Sequence, residues 1–468
     1  MDDNHRSNLS LEDMDRQSMF HGYTSIAQHE TDGPFILDKG KGIVITDQHG
    51  EEYVDAVAGL WCVNLGWGRR EVIDAITAQL EKLSYYHNFT SISNEPAIRL
   101  ADRVLRLAPL NMSKVFFGNS GSDANDTNVK LVWYYNNILG RPEKKKILSR
   151  ELAYHGVTIG AGSLTGLPMV HKHFDLPIAN VIHVEKPDHY WNAAKGQSEA
   201  EYAKDLAEKL DARIQAEGPE TVAAFIAEPI MGAGGVVVPP EGYFAEIQQV
   251  LKKHDVLMLV DEVICGFGRL GEWFGCDVFG IEPDIMTVAK GLTNGYIPMS
   301  GSLVGDKVWD VLESSSAEIG AFGHGFTYSA HPVAAAAGMA VLDVMERENI
   351  VEHVADVGAY FQAQLREKFL PHPLIGDVRG VGLMAAVEPV ADKSAPMAFD
   401  PGLKLGPRLA KLCLEEGMIV RALFQSTAIG FSPPLIVTKA QIDDIIARFA
   451  AALARWEKEI IAEGHWKG

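Results

Sequence analysis

Short apolar runs separated by amphipathic stretches dominate the middle of the chain. KVFFG, KKILS, AAFIAEP, VLMLVDEV and DIMTVAK have the length and composition of strands, whereas YFAEIQQVLKKHD has apolar residues at helical spacing. Continuous apolar strands that alternate with helices are typical of a mainly parallel sheet. We therefore predict an α/β fold whose central sheet is mainly parallel and carries helices on both faces.

The two ends of the chain follow other patterns. SLEDMDRQSMF predicts a short helix capped by Ser10 and Asp13, and GKGIVITDQHGEEYVDAV predicts a β-hairpin. Beyond about residue 335 the pattern is helical, then gives VRGVGLMAAVE and MIVRAL, and ends in a long helix. We predict an N-terminal arm and part of a small domain at 1–70, a large domain at 71–334, and the rest of a small α+β domain at 335–468.

Composition narrows the possible functions. The 468 residues contain 42 Lys and Arg against 62 Asp and Glu, a net charge of −20, and no basic tract interrupts this acidity. Nucleic acid and anionic membranes are therefore poor partners. The polar N-terminus and the absence of a long apolar run predict a cytoplasmic protein. The cysteines lie far apart, so neither a disulfide framework nor a metal site is predicted.

Three ionisable residues stand at the ends of predicted strands. Glu228 follows AAFIA, Asp261 follows VLMLV, and Lys290 follows IMTVA, each about one strand–helix unit from the next. The carboxyl ends of strands form the ligand crevice in open α/β sheets. Taken singly, unrelated polar residues at strand ends would be the simpler interpretation. An acid after four apolar residues nevertheless needs a partner if it is buried.

A predicted anion site lies further upstream. FFGNSGSDANDTN leads from a strand through Ser120, Gly121 and Ser122 into a helix, whose N-terminus can hold a phosphate, although the same residues also suit a simple N-cap. In YHG, Tyr154 could place an aromatic ring over the crevice. An amine, a buried acid and a phosphate cradle together indicate pyridoxal 5'-phosphate, because the amine captures its aldehyde and the acid keeps its pyridine nitrogen protonated.

An ordered set of motifs adds a family resemblance. The motifs are GLWCVNLGWGR, NSGSDA, YHG, AEPIMGAGGVVVPP, DEVICGFGRLGEWFG, AKGLTNGYIP, HGFTYSAHP, VRGVGL and FSPPL, between about residues 55 and 436. With them the chain resembles the class III (subgroup II) pyridoxal-phosphate aminotransferases, most closely the ω-transaminases of the amine:pyruvate and β-alanine:pyruvate type. The resemblance implies fold type I and ping-pong transfer of an amino group from a primary amine or ω-amino acid to a keto acid such as pyruvate.

The resemblance also implies roles for the cofactor site. Lys290 bonds to the cofactor and moves the substrate proton, Asp261 pairs with the pyridine nitrogen, and Glu228 supports that environment. The remaining implied contacts are Val263 and Tyr154 on the two ring faces, His155 as a neighbour of the cofactor, Ser120, Gly121 and Ser122 at the phosphate, and Thr327 reaching the phosphate from a neighbouring subunit. The chain is accordingly expected to form at least a homodimer with shared sites.

The substrate pocket is expected to be aromatic. Tyr23, Trp61 and Phe89 fall on positions that line the amine pocket of similar enzymes, with Tyr154 nearby, although each alone is more often a core residue. Arg421 matches the arginine that grips the carboxylate of the keto acid and swings away from apolar donors. An aminomutase or a decarboxylase of the same fold stays an alternative, because the fold does not fix the reaction.

Overall fold

The structure is a computed structural model that describes residues 9–424 and 426–466. Its largest sheet has seven strands in the order β4-β10-β9-β8-β7-β5-β6. These strands are β4 Met112–Gly118, β5 Lys146–Arg150, β6 Val181–Val184, β7 Val222–Ala227, β8 Leu257–Asp261, β9 Ile285–Val288 and β10 Ser300–Gly305. β5 to β9 pair in parallel, and β10 runs antiparallel to both β4 and β9. The prediction of a mainly parallel sheet is confirmed.

Two of these strands are absent from the sequence prediction. β6 has only half-buried residues, and β10 is composed largely of serine and glycine. The small residues in β10 have a steric cause, since a Cβ on Gly301 would lie 3.2 Å from both Val115 and Val288 on the flanking strands. A strand that packs this closely carries little of the hydrophobic signal by which strands are recognised.

Helices pack on both faces of the seven-stranded sheet, among them α6 on one face and α10 and α11 on the other. All helices of the described residues are α1 Leu11–Ser18, α2 Ile26–Asp32, α3 Ala58–Trp61, α4 Arg70–Lys82, α5 Glu95–Leu107, α6 Gly121–Ile138, α7 Ile159–Leu164, α8 Pro168–His171, α9 His189–Asn192, α10 Glu199–Glu217, α11 Tyr243–Lys253, α12 Gly275–Phe279, α13 Asp306–Ser314, α14 Ser316–Ile319, α15 Pro332–Arg347, α16 Ile350–Phe369, α17 Leu405–Glu415 and α18 Lys439–Ala462. Short 3₁₀ turns occupy Lys290–Thr293 and Pro401–Leu403. Among the described helices, none is both long and apolar enough to cross a membrane.

Alternation along the strands separates the two faces. In β8, Leu257 and Leu259 pack with residues of α6, whereas Met258 and Val260 pack with residues of α10 and α11. Each strand residue thus faces the opposite side from its neighbour, as the pleat requires. The same alternation directs Asp261, the last residue of β8, towards the side of the sheet that α6 covers.

Residues from both ends of the chain share a second sheet. β1 Leu37–Lys41, β2 Val44–Asp47 and β3 Glu52–Asp55 form antiparallel pairs, and β13 Met418–Ile419 lies parallel to β3. A third sheet contains β11 Ile375–Val381, β12 Met384–Pro389, β15 Ile429–Phe431 and β14 Arg421–Ala422. The segment MIVRAL therefore contributes to two sheets, with only Val420 between them. The domain boundaries at residues 70 and 334 stay a prediction.

Candidate active site

The strand ends predicted to carry chemistry meet at one edge of the central sheet. Glu228 directly follows β7, Asp261 closes β8, and Lys290 opens the 3₁₀ turn after β9. β7, β8 and β9 are adjacent and parallel, so their carboxyl ends lie side by side. Lys290 has φ of 46°, a left-handed conformation that costs a non-glycine residue about 1 kcal/mol. Strain of this kind concentrates at functional sites, and here it accompanies the amine.

A cavity of about 580 Å³ opens at this edge. Every predicted site residue except Phe89 and Thr327 lines it: Tyr23, Trp61, Ser120, Gly121, Ser122, Tyr154, His155, Glu228, Asp261, Val263, Lys290 and Arg421. Residues from the N-terminal arm, the central sheet and the C-terminal part of the chain thus converge on one space. Phe424 and Cys62 also line the cavity, and the sequence analysis assigned no site role to either.

Asp261 is the centre of a buried hydrogen-bond network. Its Oδ2 accepts from Asn125 Nδ2 at 2.9 Å and lies 2.8 Å from His155 Nδ1, and its Oδ1 accepts from the Val263 N–H at 3.1 Å. Thr287 Oγ1 donates to Asn125 Oδ1 at 2.7 Å and so orients that amide. The network therefore holds the Asp261 carboxylate in a fixed orientation in the cavity wall.

The sequence analysis missed Asn125 and Thr287. The sequence pattern could have revealed both, because each is a polar residue on the buried face of its strand or helix. Thr287 is the polar residue in the buried strand IMTV, and Asn125 lies on the face of α6 that also buries Val129 and Val132. Buried polar residues need partners, and these two supply partners for each other and for Asp261.

Glu228 supports the chain segment that carries Tyr154. Its Oε1 accepts from the Tyr154 N–H at 3.1 Å, and its Oε2 accepts from the Gly232 N–H at 2.8 Å. Arg150 donates through Nη2 to the Glu228 carbonyl at 2.6 Å. Burial raises the pKa of the Glu228 carboxyl, and the nearby His155 and Arg150 act in the opposite direction. Glu228 thus links the β5 and β7 ends below the cavity.

The Lys290 amine and the Arg421 guanidinium both lie near the indole ring of Trp61. Lys290 Nζ lies 5.6 Å from the centroid of Trp61, and Arg421 Cζ lies 5.1 Å from it. Burial lowers the pKa of the Lys290 amine, while Cys62 and the carboxylates of Asp261 and Glu228 act in the opposite direction. A lysine with a lowered pKa exists more often as the neutral, nucleophilic amine.

Arg421 is a cation without an ionic partner. Within residues 9–424 and 426–466, no carboxylate lies within 4.0 Å of its guanidinium, and its buried Nε has no hydrogen-bond partner there. Aromatic rings take the place of a counter-ion, since Cζ also lies 5.4 Å from the Phe424 ring centroid. Burial lowers the pKa of the guanidinium. A partly desolvated arginine of this kind is ready to bind an anionic ligand.

The start of α6 forms an anion cradle. Ser120 caps the helix by accepting from the Asp123 N–H at 3.2 Å, and Asp123 in turn accepts from the Ser120 N–H at 2.9 Å. The N–H groups of Gly121 and Ser122 have no acceptor among the described residues, as expected for the first turn of a helix. A Cβ on Gly121 would lie 3.1 Å from Val263 Cγ2, so a larger residue at position 121 would crowd Val263. Glycine at this position lets the start of α6 pack closely against Val263.

Aromatic side chains close the outer part of the cavity. The Tyr23 ring lies 5.8 Å from that of Phe424, and burial together with Tyr23 raises the pKa of the Tyr154 phenol. Tyr23 itself has φ of 55° and comes from the arm between α1 and α2. The outer cavity is therefore lined by rings from three distant parts of the chain.

The structure places Phe89 and Thr327 together, but outside this cavity. Tyr85 donates its hydroxyl to the Thr327 carbonyl at 2.8 Å, and a Cβ on Gly325 would approach Phe89 Cε1 to 2.5 Å. Phe89 and Thr327 are exposed at the surface of the single chain. They consequently make no contact with the cavity of their own chain.

The residues present fit pyridoxal 5'-phosphate. Lys290 offers an amine for its aldehyde, Asp261 offers a fixed carboxylate for its pyridine nitrogen, and the free N–H groups at Gly121 and Ser122 suit its phosphate. His155 Nε2 is buried without a partner among the described residues, as expected beside a group that fills the cavity. The donor set is thus that of a cofactor site and not of a metal centre.

Comparisons with known proteins give the same result. The sequence model of the family Aminotransferase class-III matches residues 25–453. A diaminobutyrate–2-oxoglutarate transaminase of Halomonas elongata is 50% identical, with 97% of this chain and 98% of that protein covered. Gamma aminobutyrate transaminase 3 of Solanum lycopersicum is 45% identical, with 92% of this chain and 83% of that protein covered. The crystal structure of an ω-transaminase from Pseudomonas jessenii in complex with PMP has a TM-score of 0.94 and 46% identity over 97% of this chain and 99% of that one.

Proposed function

Because this chain belongs to the class III aminotransferases, which use pyridoxal 5'-phosphate, we propose that it transfers an amino group from a primary amine or ω-amino acid to a keto acid such as pyruvate. The observation that carries the substrate class is the pair of cations beside Trp61. Lys290 marks the end where the amino group reacts, and Arg421 marks the end where a carboxylate binds. A short ω-amino acid or a keto acid can face both groups.

The proposed cofactor-binding roles are those that the family resemblance implies. When bound, pyridoxal 5'-phosphate supplies an aldehyde for the amine and a ring that withdraws electrons from the substrate carbon. Asp261 would keep the pyridine nitrogen protonated, and Asn125, His155 and Thr287 hold Asp261 in place. Ser120, Gly121 and Ser122 would bind the phosphate through the start of α6. Val263 and Tyr154 would contact the two ring faces, and Glu228 positions the Tyr154 segment.

Lys290 is the general base of the proposed reaction. With pyridoxal 5'-phosphate bound, the Lys290 Nζ would accept and hold the proton that leaves the substrate carbon. Burial lowers the pKa of Lys290, which favours the neutral amine required for this step. Lys290 combines a left-handed backbone at the rim of the sheet with a place in the cavity lining.

The substrates of two related transaminases support an ω-amino acid donor. Diaminobutyrate and γ-aminobutyrate both carry an amino group at the end opposite a carboxylate. The same cavity also has an apolar lining from Tyr23, Trp61 and Phe424. We therefore propose that carboxylate-free amines are accepted as well, with Arg421 moving away from the apolar donor.

We also propose a homodimer with shared active sites. Phe89 and Thr327 lie outside their own cavity, in an exposed area that includes Tyr85, Tyr86 and Tyr328. Exposed aromatic residues of this density are typical of interfaces. Thr327 then reaches the phosphate of the partner, and Phe89 lines the partner's amine pocket. Light scattering at assay concentration is expected to give at least twice the 51.1 kDa chain mass, and a fully active monomer would contradict the shared site.

A donor and acceptor panel tests the proposed function. The donors are γ-aminobutyrate, diaminobutyrate, β-alanine and 1-phenylethylamine, each paired with pyruvate or 2-oxoglutarate, and alanine or glutamate formation is measured. Ping-pong transfer predicts parallel lines in double-reciprocal plots. A donor alone should change the absorbance of the bound cofactor, and pyruvate should restore it. Release of carbon dioxide, or conversion of the donor without an acceptor, would instead identify the decarboxylase or aminomutase alternative.

A further inference from the structure

The N-terminal arm brings two imidazoles and a carboxylate to one point. Asp15 lies in α1, His21 follows that helix, and His29 lies in α2. His21 Nε2 is 3.0 Å from Asp15 Oδ1, and His29 Nε2 is 2.9 Å from the same oxygen. One nitrogen or oxygen from each of the three residues lies within 4.8 Å of the others. We propose that Asp15, His21 and His29 form a binding site for a zinc-like divalent metal ion, separate from the active site.

Ligand geometry supports the proposal. Zinc binds imidazole nitrogen and carboxylate oxygen at about 2.0–2.2 Å, so tetrahedral ligand atoms are about 3.4 Å apart. The two imidazole nitrogens lie 2.9 and 3.0 Å from Asp15 Oδ1. These nitrogen–oxygen distances need to lengthen by only a few tenths of an ångström for the ion to bind. Two histidines and one carboxylate leave a fourth position for water, which is a common zinc arrangement.

The simpler interpretation is a carboxylate that accepts hydrogen bonds from two imidazoles. His21 satisfies it, because its Nε2 lies 3.0 Å from both Asp15 oxygens in suitable geometry. His29 does not, since its buried Nε2 lies 2.9 Å from Asp15 Oδ1 without forming a hydrogen bond to any described residue. A metal ion would use the nitrogen that the hydrogen-bond interpretation leaves unpaired.

The surrounding charges permit a cation. The neighbouring Arg16 is directed to Asp13, 3.4 Å away, and its guanidinium packs at Gly33, beyond the end of α2. Both imidazoles and the carboxylate are half-buried, so the ligands are shielded from solvent yet accessible to an ion. The sequence analysis predicted no metal site, because ligands at positions 15, 21 and 29 form no short motif and owe their proximity to the fold.

The site has a consequence for the active site. Gly22 and Tyr23 directly follow His21 and line the cavity beside Lys290. Among the described residues, neither α1 nor α2 buries any side chain, so the arm has little packing of its own. A metal ion that links α1, the connecting turn and α2 would reduce the conformational freedom of this segment. The bound ion would thereby fix Tyr23 over the cavity.

The test is a metal titration of the tag-free, chelator-treated holoenzyme. Zinc affinity is measured by competition with a chromophoric chelator, and Co²⁺ is titrated separately to observe tetrahedral absorption. We expect one Zn²⁺ per chain, with affinity at least about tenfold lower in Asp15→Asn, His21→Gln and His29→Gln. The control His49→Gln removes an exposed histidine outside the cluster and should bind zinc as the wild type does.

Three results would overturn the proposal. They are the absence of zinc binding in the wild type, equal zinc affinity in the three ligand variants, and an equal loss in His49→Gln. Zinc held by another group, such as the Cys62 thiol in the cavity, would give the second result. Circular dichroism checks that the variants fold, as expected because neither helix buries a side chain. Zinc should also slow proteolysis of the arm in the wild type and not in His29→Gln.

Discussion

Replacing Arg421 by alanine should separate the two half-reactions. The guanidinium lies against Trp61 and Phe424 and has no carboxylate partner among the described residues, so its proposed partner is the acid group of the substrate. In Arg421→Ala the keto acid would bring its carboxylate into a partly desolvated cavity without a counter-ion. A donor amine that lacks a carboxylate would lose no comparable interaction with the protein.

The size of the effect follows from the burial of Arg421. Removing one partner of a buried charge pair costs about 3–5 kcal/mol. Since about 1.4 kcal/mol corresponds to a factor of ten, kcat/KM for pyruvate should fall roughly 10²- to 4 × 10³-fold. Arg421→Lys keeps the charge but loses the planar pair of donors. Its kcat/KM for pyruvate should therefore lie between the values of the wild type and the alanine variant. The rate with 1-phenylethylamine should change by less than about threefold.

Stopped-flow absorbance of the bound cofactor measures each half-reaction alone. Arg70→Ala is the matched control, because Arg70 is an exposed arginine whose ion pair with Asp74 is also exposed. Equal losses in the amine and keto-acid half-reactions of Arg421→Ala would refute the reasoning, since they would assign Arg421 to the fold or to cofactor binding. A loss below tenfold for pyruvate would refute it as well.

Further predictions concern the cavity and the core. Lys290→Ala should fold and lose almost all turnover, and borohydride reduction of the wild type followed by peptide mapping should find the cofactor on Lys290 and no other lysine. Asp261→Asn should lower kcat roughly 10²- to 10³-fold, and a near-normal rate would exclude pairing with the pyridine nitrogen. Trp61→Ala should change the ratio of the rates for the two enantiomers of 1-phenylethylamine about tenfold, and an unchanged ratio would remove Trp61 from the pocket. Burial raises the pKa of Glu262 to about 7, so the folded state binds the proton more tightly than the unfolded state. The unfolding free energy should therefore fall by about 3 kcal/mol as the pH rises from about 4.5 to about 7. In urea titrations, Glu262→Gln should remove this dependence of the unfolding free energy on pH. If the variant keeps the same pH dependence, other groups cause it.

The central sheet and its chemistry were predictable because their signals are local. AAFIAEP, VLMLVDEV and DIMTVAK each place an ionisable residue at the end of a buried strand, and parallel pairing turns these three positions into neighbours. Ser120 likewise caps α6 as its sequence predicts, with Asp123 completing the capping box. The confirmed fold therefore rests on periodicity and on residues that end strands or begin helices.

The outer cavity could not be predicted in this way. Phe424 contacts Tyr23 across about 400 residues of chain, and no local pattern records such a contact. The resemblance to known enzymes identified Tyr23 and Arg421 but not Phe424. It also grouped Phe89 with residues of the cavity, whereas the single chain places Phe89 beside Gly325 at the surface.

The parallel pairing of β3 with β13 has a consequence for how the protein is made. Val54 donates its N–H to the Gly417 carbonyl, and Ala56 donates to the carbonyl of Ile419. The ribosome synthesises these partners about 360 residues apart, which at 5–20 residues per second is a delay of roughly 20–70 s. Throughout that delay the N-terminal hairpin has an open edge that can pair with other nascent chains. The yield of folded enzyme should therefore depend on chaperones and growth temperature more than its final stability suggests.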